Sequence, residues 1–371
     1  MDRAYYDSAM AVTSGSQGPQ QVRFCRAPDG VRIAYAVHGH GPPLLISTCW
    51  LSHLQFDWES PVWRHFLIDL GKFATVIRFD ERGHGLSDWD VTDHSLDARI
   101  GDLEAVADAA GVDRFALMAM AQGGPVAISY VARHPERVSR LLFYGSYSSV
   151  SSVALSDDDR DLEDAFGQMI KVGWARPDST FRRVFTSLMI PGANEEQMRW
   201  LDDLQRVSVS ATTAYMSRQQ RITADADPLL ASLDVPTLIL HSVGDRMNAF
   251  AYGRHLASSI DNARLVALES DNHIVLEDEP AWPVFVDEVR RFLEPDAQSA
   301  TTHDRPEDVL SSRELEVLRL VAAGHDNTAI AAELHLSLRT VERHLQNVYG
   351  KLHLQGRSAR IAAAARLLTP A

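Results

Sequence analysis

The chain has 371 residues, of which 45% are apolar, and its formal net charge is −14 at pH 7. A chain of this length can form one large core and a small second domain. The two cysteines, Cys25 and Cys49, exclude a disulfide framework and give no zinc-ligand spacing. The acidic balance argues against a protein that binds nucleic acid along its whole length.

The charge is distributed unevenly along the chain. From residue 305 to the end the net charge is +2, whereas the preceding part carries −16. Residues 1–21 are polar and contain no apolar stretch of the signal-peptide type, and we expect them to be disordered. No run of about 18 apolar residues predicts a membrane span. These features predict a soluble, cytoplasmic protein of two domains without a membrane partner.

Strand-like and helical patterns alternate between residues 22 and 294. The strand-like runs are PPLLIS, FATVIRFD, RFALMAM, RLLFYGS, PTLILHS and ARLVALES, and helical patterns such as SLDARIGDLEAVADAAG lie between them. This alternation predicts an α/β domain whose mostly parallel sheet has helices on both faces. It pauses at about residues 151–233, where the apolar spacing is helical. We expect this insertion to form a lid over one end of the sheet.

The remainder of the chain reads as a linker and a helical domain. Residues 295–307 are polar and unpatterned, which is typical of a linker. Residues 308–371 contain four helical patterns, and Ser311 with Glu314 at the start of the first pattern fits a capping box. A small all-α domain of four helices is therefore predicted there.

Four ordered motifs within residues 22–294 carry a family resemblance. FALMAMAQGGPVA reads as a strand, a tight turn of small residues and a helix, and DERGHGLSD precedes it at residues 80–88. PTLILHSVGDR and DNHIVLEDEPAWPVFVDEVRRFL follow in that order. Together they resemble the α/β-hydrolase family, which implies an α/β-hydrolase fold with a helical lid.

The resemblance assigns the three triad positions to Ala121, Asp245 and His273. In the family a nucleophile at the turn attacks a carbonyl, a histidine takes its proton and an acid orients the histidine. Because Ala121 has no oxygen or sulfur, ordinary triad hydrolysis is expected to be absent or vestigial. We do not expect Ser146, Ser148 or Ser149 to replace the nucleophile, since they follow another strand.

The roles left for Asp245 and His273 stay open at this point. The pair can act as a general base without a nucleophile, as is thought for cofactor-free dioxygenases of this fold. It can also hydrogen-bond a ligand or remain as a structural contact. An engineered exchange of serine for alanine in an esterase fused to a regulator would give the same residues.

A pocket for a small, mainly apolar organic molecule is expected beneath the lid, whose aromatic and Met side chains suit such a ligand. An ester, a lactone or a ketone would fit these groups. The segment STCWLSHLQFDW replaces the usual oxyanion loop of the family, and Cys49 in it is expected to be a small buried residue. No cofactor and no metal are expected. The candidate ligand-binding residues are Trp50, Leu51, Ala121, Gln122, Trp174, Phe185, Met189 and His273.

The helical domain resembles the LuxR-type helix-turn-helix family over about residues 308–367. The matching positions are Arg313, Glu314, Val317, Leu318, Gly324, Asn327, Ile330, Ala331, Leu334, Ser337, Thr340, Val341, His344, Leu345, Lys351, Leu352 and Arg357. This resemblance implies that SLRTVERHLQNVYGKL is a recognition helix in the major groove of promoter DNA. It further implies a homodimer, for which an inverted-repeat site is the natural target.

Helical spacing assigns roles along the recognition helix. Ser337 is the expected N-cap, and the outward residues are expected to meet base edges. Arg343 suits guanine, Gln346 adenine and Glu342 a cytosine amino group. The candidates for phosphate contacts are Arg339, Thr340, Lys351 and Arg357, and His344 is either a further one or structural.

These observations combine into the hypothesis of a ligand-responsive transcriptional regulator. Its α/β-hydrolase-like domain would bind the ligand without hydrolysing it, and its LuxR-type domain would bind promoter DNA. Two alternatives stay open, namely an enzyme that uses the His273 and Asp245 pair, and an interaction scaffold with a collapsed pocket.

Overall fold

The computed structural model describes residues 20–47, 51–153, 157–176, 178, 180–294, 310–322, 325–351 and 363, with the backbone alone for residues 157–164. The chain divides into two compact units at the boundary between Leu293 and Glu294. None of the helices in these ranges combines the length and the apolar character needed to cross a bilayer.

The first unit is built on one eight-stranded sheet. Its strands are β1 (Gln21–Arg26), β2 (Arg32–Gly39), β3 (Pro43–Ser47), β4 (Thr75–Phe79), β5 (Phe115–Met120), β6 (Val138–Tyr144), β7 (Thr237–Ser242) and β8 (Ala263–Leu268). The order across the sheet is β1-β2-β4-β3-β5-β6-β7-β8. The pairs β1–β2 and β2–β4 are antiparallel, and the others are parallel. The predicted α/β class and the six predicted strands are confirmed.

Helices connect these strands. They are α1 (Leu54–Trp58), α2 (Arg64–Leu70), α3 (Leu96–Ala110), α4 (Gly124–Arg133), α5 (Asp157–Gly173), α6 (Thr180–Met189), α7 (Glu195–Ser208), α8 (Ala211–Ile222), α9 (Phe250–Ser259) and α10 (Ala281–Leu293). Helices α5 to α8 follow one another between β6 and β7, where the sequence predicts the lid.

The residues of the strands alternate between two cores. In β3, Leu44 and Ile46 contact one core together with Phe285 of α10, whereas Leu45 contacts the other core together with Leu103 of α3. Because neighbouring residues of a strand point to opposite faces, a fully apolar strand indicates a sheet that is covered on both sides.

The hairpin of β1 and β2 was not among the predicted strands. In β1 the side chains are mostly exposed, so the strand lacks the apolar run by which the other strands are recognised. The turn between the two strands carries the sequence Pro28, Asp29 and Gly30, and Gly30 has a φ of 92°. This turn signal is the feature of the sequence that points to the hairpin.

The second unit contains three described helices, α11 (Ser312–Ala322), α12 (Asn327–Glu333) and α13 (Leu338–Lys351). They share an apolar core that includes Val317, Ile330 and Val341. The predicted capping box is present, since the Ser311 N–H donates to the Glu314 carboxylate at 2.8 Å. The fourth predicted helix lies, apart from Ala363, outside the described residues.

Candidate functional site

The turn between β5 and α4 has the geometry of a nucleophile elbow. Its three residues are Ala121–Gly123, and Ala121 has a φ of 46°, in the left-handed region that residues other than glycine rarely occupy. A Cβ at Gly123 would lie 2.6 Å from the carbonyl oxygen of Ser47. The small residues are therefore required by the close approach of neighbouring backbone, and the strained turn is retained around an alanine.

Hydrogen bonds to two carbonyl oxygens hold this turn. The hydroxyl of Ser146 donates to the carbonyl of Ala121, and the guanidinium of Arg99 donates to the carbonyl of Gln122 at 3.0 Å. Arg99 is buried, and burial lowers its pKa to about 10, so it remains charged at neutral pH. A fixed positive charge thus stands directly behind the elbow.

The serines that follow β6 have partners of their own. Beyond the bond of Ser146 to the elbow, the Ser148 hydroxyl donates to Asp227 at 2.6 Å. The hydroxyl oxygens of Ser149 and Ser151 lie 2.9 Å apart. None of these hydrogen bonds involves His273.

The predicted acid and histidine lie in contact. Asp245 follows β7, His273 lies in the loop after β8, and the Nδ1 of His273 is 2.7 Å from the Asp245 carboxylate. The other carboxylate oxygen of Asp245 accepts from the N–H groups of Met247 and Asn248. Burial raises the pKa of Asp245, but the charge and hydrogen bond of His273 outweigh it and hold the pKa below its usual range. An ionised Asp245 orients the imidazole and stabilises its protonated form, which is the arrangement of a general base.

A small cavity lies between the elbow and this dyad. Its volume is about 10 Å³, enough for a single water or hydroxyl group. Three of the predicted ligand-binding residues, Ala121, Met189 and His273, line it. The other lining residues, which the sequence analysis missed, are Trp63, Met120, Tyr144 and Ile274.

The missed lining residues differ in how well the sequence could indicate them. Met120 and Ile274 are the chain neighbours of Ala121 and His273, and this adjacency is a usable signal. Trp63 and Tyr144 belong to distant segments, and only the fold brings them to the cavity.

Other predicted ligand contacts lie away from the cavity. Trp174 and Phe185 pack inside the lid, with ring centroids 5.9 Å apart, and the Trp174 indole N–H donates to the carbonyl of Val209 at 3.3 Å. The lining does not include either ring, so contact with a ligand would require the lid to move. Leu51 is buried, and Trp50, like Cys49, lies outside the described residues.

Polar contacts join the lid to the body of the first unit near the elbow and near the dyad. Arg221 of α8 contacts the carboxylate of Glu81, which lies 3.9 Å from Arg99 behind the elbow. At the other side, the Met189 carbonyl accepts from the N–H of His273 at 2.8 Å. The lid therefore contacts the surroundings of both the elbow and the dyad.

The second unit presents a helix suited to the major groove. The hydroxyl of Ser337 accepts from the N–H of Thr340 at 3.2 Å, so Ser337 caps α13 as the sequence predicts. The inner face of α13 buries Val341, Leu345 and Val348. The outer face exposes the four residues predicted to meet base edges or phosphate, which are Arg339, Glu342, Arg343 and Gln346.

The remaining residues predicted to contact DNA differ in their exposure and in their partners. Thr340 and His344 are half-buried, and Arg357 lies outside the described residues. The ammonium of Lys351 donates to the carboxylate of Glu314 at 2.7 Å. Lys351 therefore connects the end of α13 to α11, and a phosphate contact would compete with this ion pair.

Comparisons with known proteins identify both units. The alpha/beta hydrolase fold family matches residues 42–280, and the luxR family of bacterial regulatory proteins matches residues 308–364. The AB hydrolase superfamily protein YisY of Bacillus subtilis is 26% identical over 242 residues, which cover 63% of this chain and 86% of YisY. The probable transcriptional regulatory protein NarL of Mycobacterium tuberculosis is 48% identical over 58 residues, which cover 16% of this chain and 27% of NarL.

The solved structures agree with this assignment at the level of fold. A hydrolase from Pseudomonas aeruginosa PA01 superposes with a TM-score of 0.61 at 22% identity, covering 74% of this chain and 98% of that one. Since the first family match spans more than half of its length, the chain belongs to the alpha/beta hydrolase fold family, here joined to a LuxR-type DNA-binding domain.

Proposed function

We propose that the protein is a ligand-responsive transcriptional regulator whose hydrolase-fold unit binds a small, mainly apolar organic molecule without hydrolysing it. The observation that carries this proposal is Ala121 at a retained elbow beside the intact pair of His273 and Asp245. In a well-studied serine protease, removal of the nucleophile costs roughly a million-fold in turnover. A unit that keeps the elbow and the dyad without a nucleophile is suited to binding rather than to acyl transfer.

The ligand would be held between the elbow and the lid. The lining is mostly apolar, and His273 supplies its one imidazole. An ester, a lactone or a ketone has the apolar body and the polar oxygen that such a surface selects. A receptor of this kind benefits from the loss of the nucleophile, because a sensor that hydrolyses its signal erases it.

The LuxR-type unit would bind promoter DNA through α13. Arg343, Gln346 and Glu342 are proposed to read base edges, and Arg339 to contact phosphate. We further propose that the protein binds as a homodimer to an inverted repeat. The ligand can act only by binding one of two states more tightly, for example one of two arrangements of the DNA-binding units.

A specific observation favours a second candidate function. The 2.7 Å contact of His273 with Asp245 is the geometry of a working general base. The protein would then be an enzyme that abstracts a proton, or activates water, without a covalent step. Proton abstraction of this kind needs a histidine of suitable pKa and no serine.

Hydrolysis of a panel of chromogenic acyl esters by the full chain separates the two functions. The unchanged chain is expected to be inactive, and the matched variants are His273→Ala and Ala121→Ser. Turnover by the unchanged chain that disappears in His273→Ala would overturn the receptor and establish the enzyme. Activity gained only in Ala121→Ser would indicate that the remaining machinery is functional and that residue 121 alone prevents hydrolysis.

A DNA-binding measurement tests the regulatory half of the proposal. The full chain is expected to select an inverted repeat from a pool of random DNA, and addition of a bound ligand is expected to change its affinity. Binding to the selected site with no response to any ligand that the first unit binds would contradict the coupling.

A further inference from the structure

We propose that the cavity beside Ala121 is a hydroxyl-binding subsite, in which Nε2 of His273 accepts a hydrogen bond from a hydroxyl group of the ligand. This inference rests on the proposed ligand-binding function and narrows the ligand to a mainly apolar molecule that carries a free hydroxyl. The missing serine hydroxyl would be replaced by a hydroxyl that arrives with the ligand.

The contact with Asp245 determines which ring nitrogen of His273 carries a proton in the hydrogen bond. The carboxylate of Asp245 lies 2.7 Å from Nδ1 of His273 and accepts two backbone N–H groups on its other oxygen. A carboxylate accepts hydrogen bonds and does not donate them, so Nδ1 carries the proton. A neutral imidazole with a proton on Nδ1 has its lone pair on Nε2.

The orientation of the His273 ring is fixed by its neighbours. Gly145 lies directly behind it, and a Cβ there would be 2.9 Å from Cε1 and 3.1 Å from Nδ1 of His273. The backbone N–H of His273 is bonded to Met189, which holds the residue from the lid side. With the ring packed against Gly145 and bonded to Asp245, the acceptor on Nε2 cannot turn toward another partner without breaking that bond.

The imidazole of His273 borders the cavity beside Ala121. His273 and Ala121 line the same cavity of about 10 Å³. The other lining residues are mostly apolar, and the hydroxyl of Tyr144 among them accepts from the N–H of Val275 at 2.8 Å. They are Trp63, Met120, Tyr144, Met189 and Ile274. Among the described residues, none donates a hydrogen bond to Nε2. An acceptor that faces a mostly apolar lining binds a donor that fits the space, and one such hydrogen bond contributes modestly to affinity. The volume holds one hydroxyl group, which makes a hydroxyl the best-matched donor.

The side chain of residue 121 determines whether Nε2 has a donor within the protein. In the hydrolase arrangement the hydroxyl of a serine at the elbow donates to the same imidazole nitrogen. Ala121 keeps the backbone of that turn, with its φ of 46°, but presents only a methyl group. A serine at this position would therefore compete with a ligand hydroxyl for Nε2, whereas a glycine would not.

The test compares two probes of the same aromatic body, 4-fluorobenzyl alcohol and 4-fluorobenzyl methyl ether, titrated into the full chain and followed by fluorine NMR. The alcohol is expected to bind roughly tenfold more tightly, as one buried hydrogen bond allows. In Ala121→Ser the two affinities should become nearly equal, and in the matched variant Ala121→Gly the preference should persist. Thermal unfolding of each variant establishes that it is folded.

The outcomes separate this inference from the proposed function. Equal binding of both probes by the unchanged chain would overturn the hydroxyl subsite and leave a ligand-binding unit. An undiminished preference for the alcohol in Ala121→Ser would also overturn it. Binding of neither probe would overturn the subsite and count against the ligand-binding function as well.

A second measurement monitors the acceptor atom, Nε2 of His273, directly. With histidine labelled by ¹⁵N, the Nε2 resonance assigned to His273 through His273→Gln is expected to shift when the alcohol is added and to stay unchanged with the ether. An equal shift with both probes would show that the hydroxyl proton is not donated to Nε2, and would overturn the inference.

Discussion

The side chain of Asn272 connects the loop of His273 to the lid. Its Oδ1 accepts from the N–H of Gly192 at 2.9 Å, and its Nδ2 donates to the carboxylate of Glu279 at 2.7 Å. Beside it, the carbonyl of Met189 accepts from the N–H of His273. Since Met189 lines the cavity, these bonds fix the position of this part of the lid beside the dyad.

The first prediction concerns this connection. Replacement of Asn272 by alanine removes two hydrogen bonds of a buried side chain, so we expect a loss of roughly 1–3 kcal/mol in the free energy of unfolding. We also expect faster hydrogen exchange at the end of α6 and in the segment that follows it, because these residues lose their anchor. Urea unfolding and hydrogen exchange detected by mass spectrometry measure the two effects.

A matched control for Asn272→Ala is Asn262→Ala, the same exchange at an exposed position. The control should leave both the unfolding free energy and the exchange near Gly192 unchanged. If Asn272→Ala left the exchange of that segment as it is in the unchanged chain, the lid would be held by other contacts.

The second prediction concerns acid stability of the first unit. His84 is fully buried, and burial lowers its pKa to about 4, against the opposing effect of its hydrogen bond to the carbonyl of Arg82. In the unfolded chain the imidazole titrates near 6.5. Between pH 6.5 and pH 4 the imidazole of His84 becomes protonated in the unfolded state but stays neutral in the folded state. Stability contributed by the neutral ring is therefore complete above pH 6.5 and decreases below it, by roughly 3 kcal/mol at most.

The variant His84→Asn tests this dependence, since its amide retains a donor for the Arg82 carbonyl and does not titrate. We expect a smaller slope of unfolding free energy against pH between 6.5 and 4 than in the unchanged chain. The exposed His40 gives the control His40→Asn, which should keep the original slope. Equal slopes in all three proteins would show that His84 does not resist protonation.

The third prediction concerns the link between α11 and α13. Burial raises the pKa of Glu314, but the hydrogen bonds from Lys351 and Ser311 outweigh it and lower the pKa to about 2. Because the unfolded value is about 4.5, the stabilisation is complete above that pH and is lost as the pH falls toward 2. Replacement by glutamine is expected to lower protection of α11 from hydrogen exchange at pH 7 and to remove much of this acid dependence.

Glu316 provides the control for Glu314→Gln. It is exposed on the same helix and pairs only with Arg313 three residues away among the described residues, and such exposed pairs contribute little. Hydrogen exchange of Ser312–Ala322 in the full chain compares the two variants. Similar protection in Glu314→Gln and Glu316→Gln would mean that the pair of Glu314 and Lys351 does not fasten the helices.

The sequence predicted the parts of this fold that repeat a local pattern. Apolar strands covered on both faces, such as β5, are visible as continuous runs, and the elbow at Ala121 is visible from the small residues that its backbone requires. The exposed edge strand β1 has neither feature, which explains why it was missed. Strand β2 does contain a largely buried apolar run, at residues 33–37, and could have been predicted from it. The cap at Ser337 was predictable because an N-cap depends on neighbours within one turn of the helix.

The contacts that close the site were not predictable in the same way. The guanidinium of Arg99 behind Gln122, and Asn272 against Gly192, join residues that are distant in the chain and follow no periodic pattern. The sequence predicted a pocket from the apolar character of the lid. How far the lid closes depends on packing between segments, and the resulting volume of about 10 Å³ could be obtained only from the structure.

The last prediction separates two roles on the outer face of α13. Arg343→Ala is expected to weaken binding by roughly 10- to 100-fold at selected sites and to relax the preference for guanine at one position, as the loss of a bidentate base contact does. Arg339→Ala is expected to weaken binding to all sequences alike and to reduce the salt dependence by about one phosphate contact. Fluorescence anisotropy of the full chain on selected and altered sites, over a range of salt concentrations, measures both.

Arg319 supplies the matched control for these two variants, because it is exposed on α11 and its replacement by alanine removes the same charge. Arg319→Ala should leave the guanine preference unchanged, since a residue outside the recognition helix has no base edge to read. The distinct behaviour of Arg343 follows from its position one turn beyond Arg339 on a helix whose opposite side is buried in the core. If Arg343→Ala lowered the affinity for every sequence equally, Arg343 would be a phosphate contact. Other residues of α13 would then have to make the base contacts.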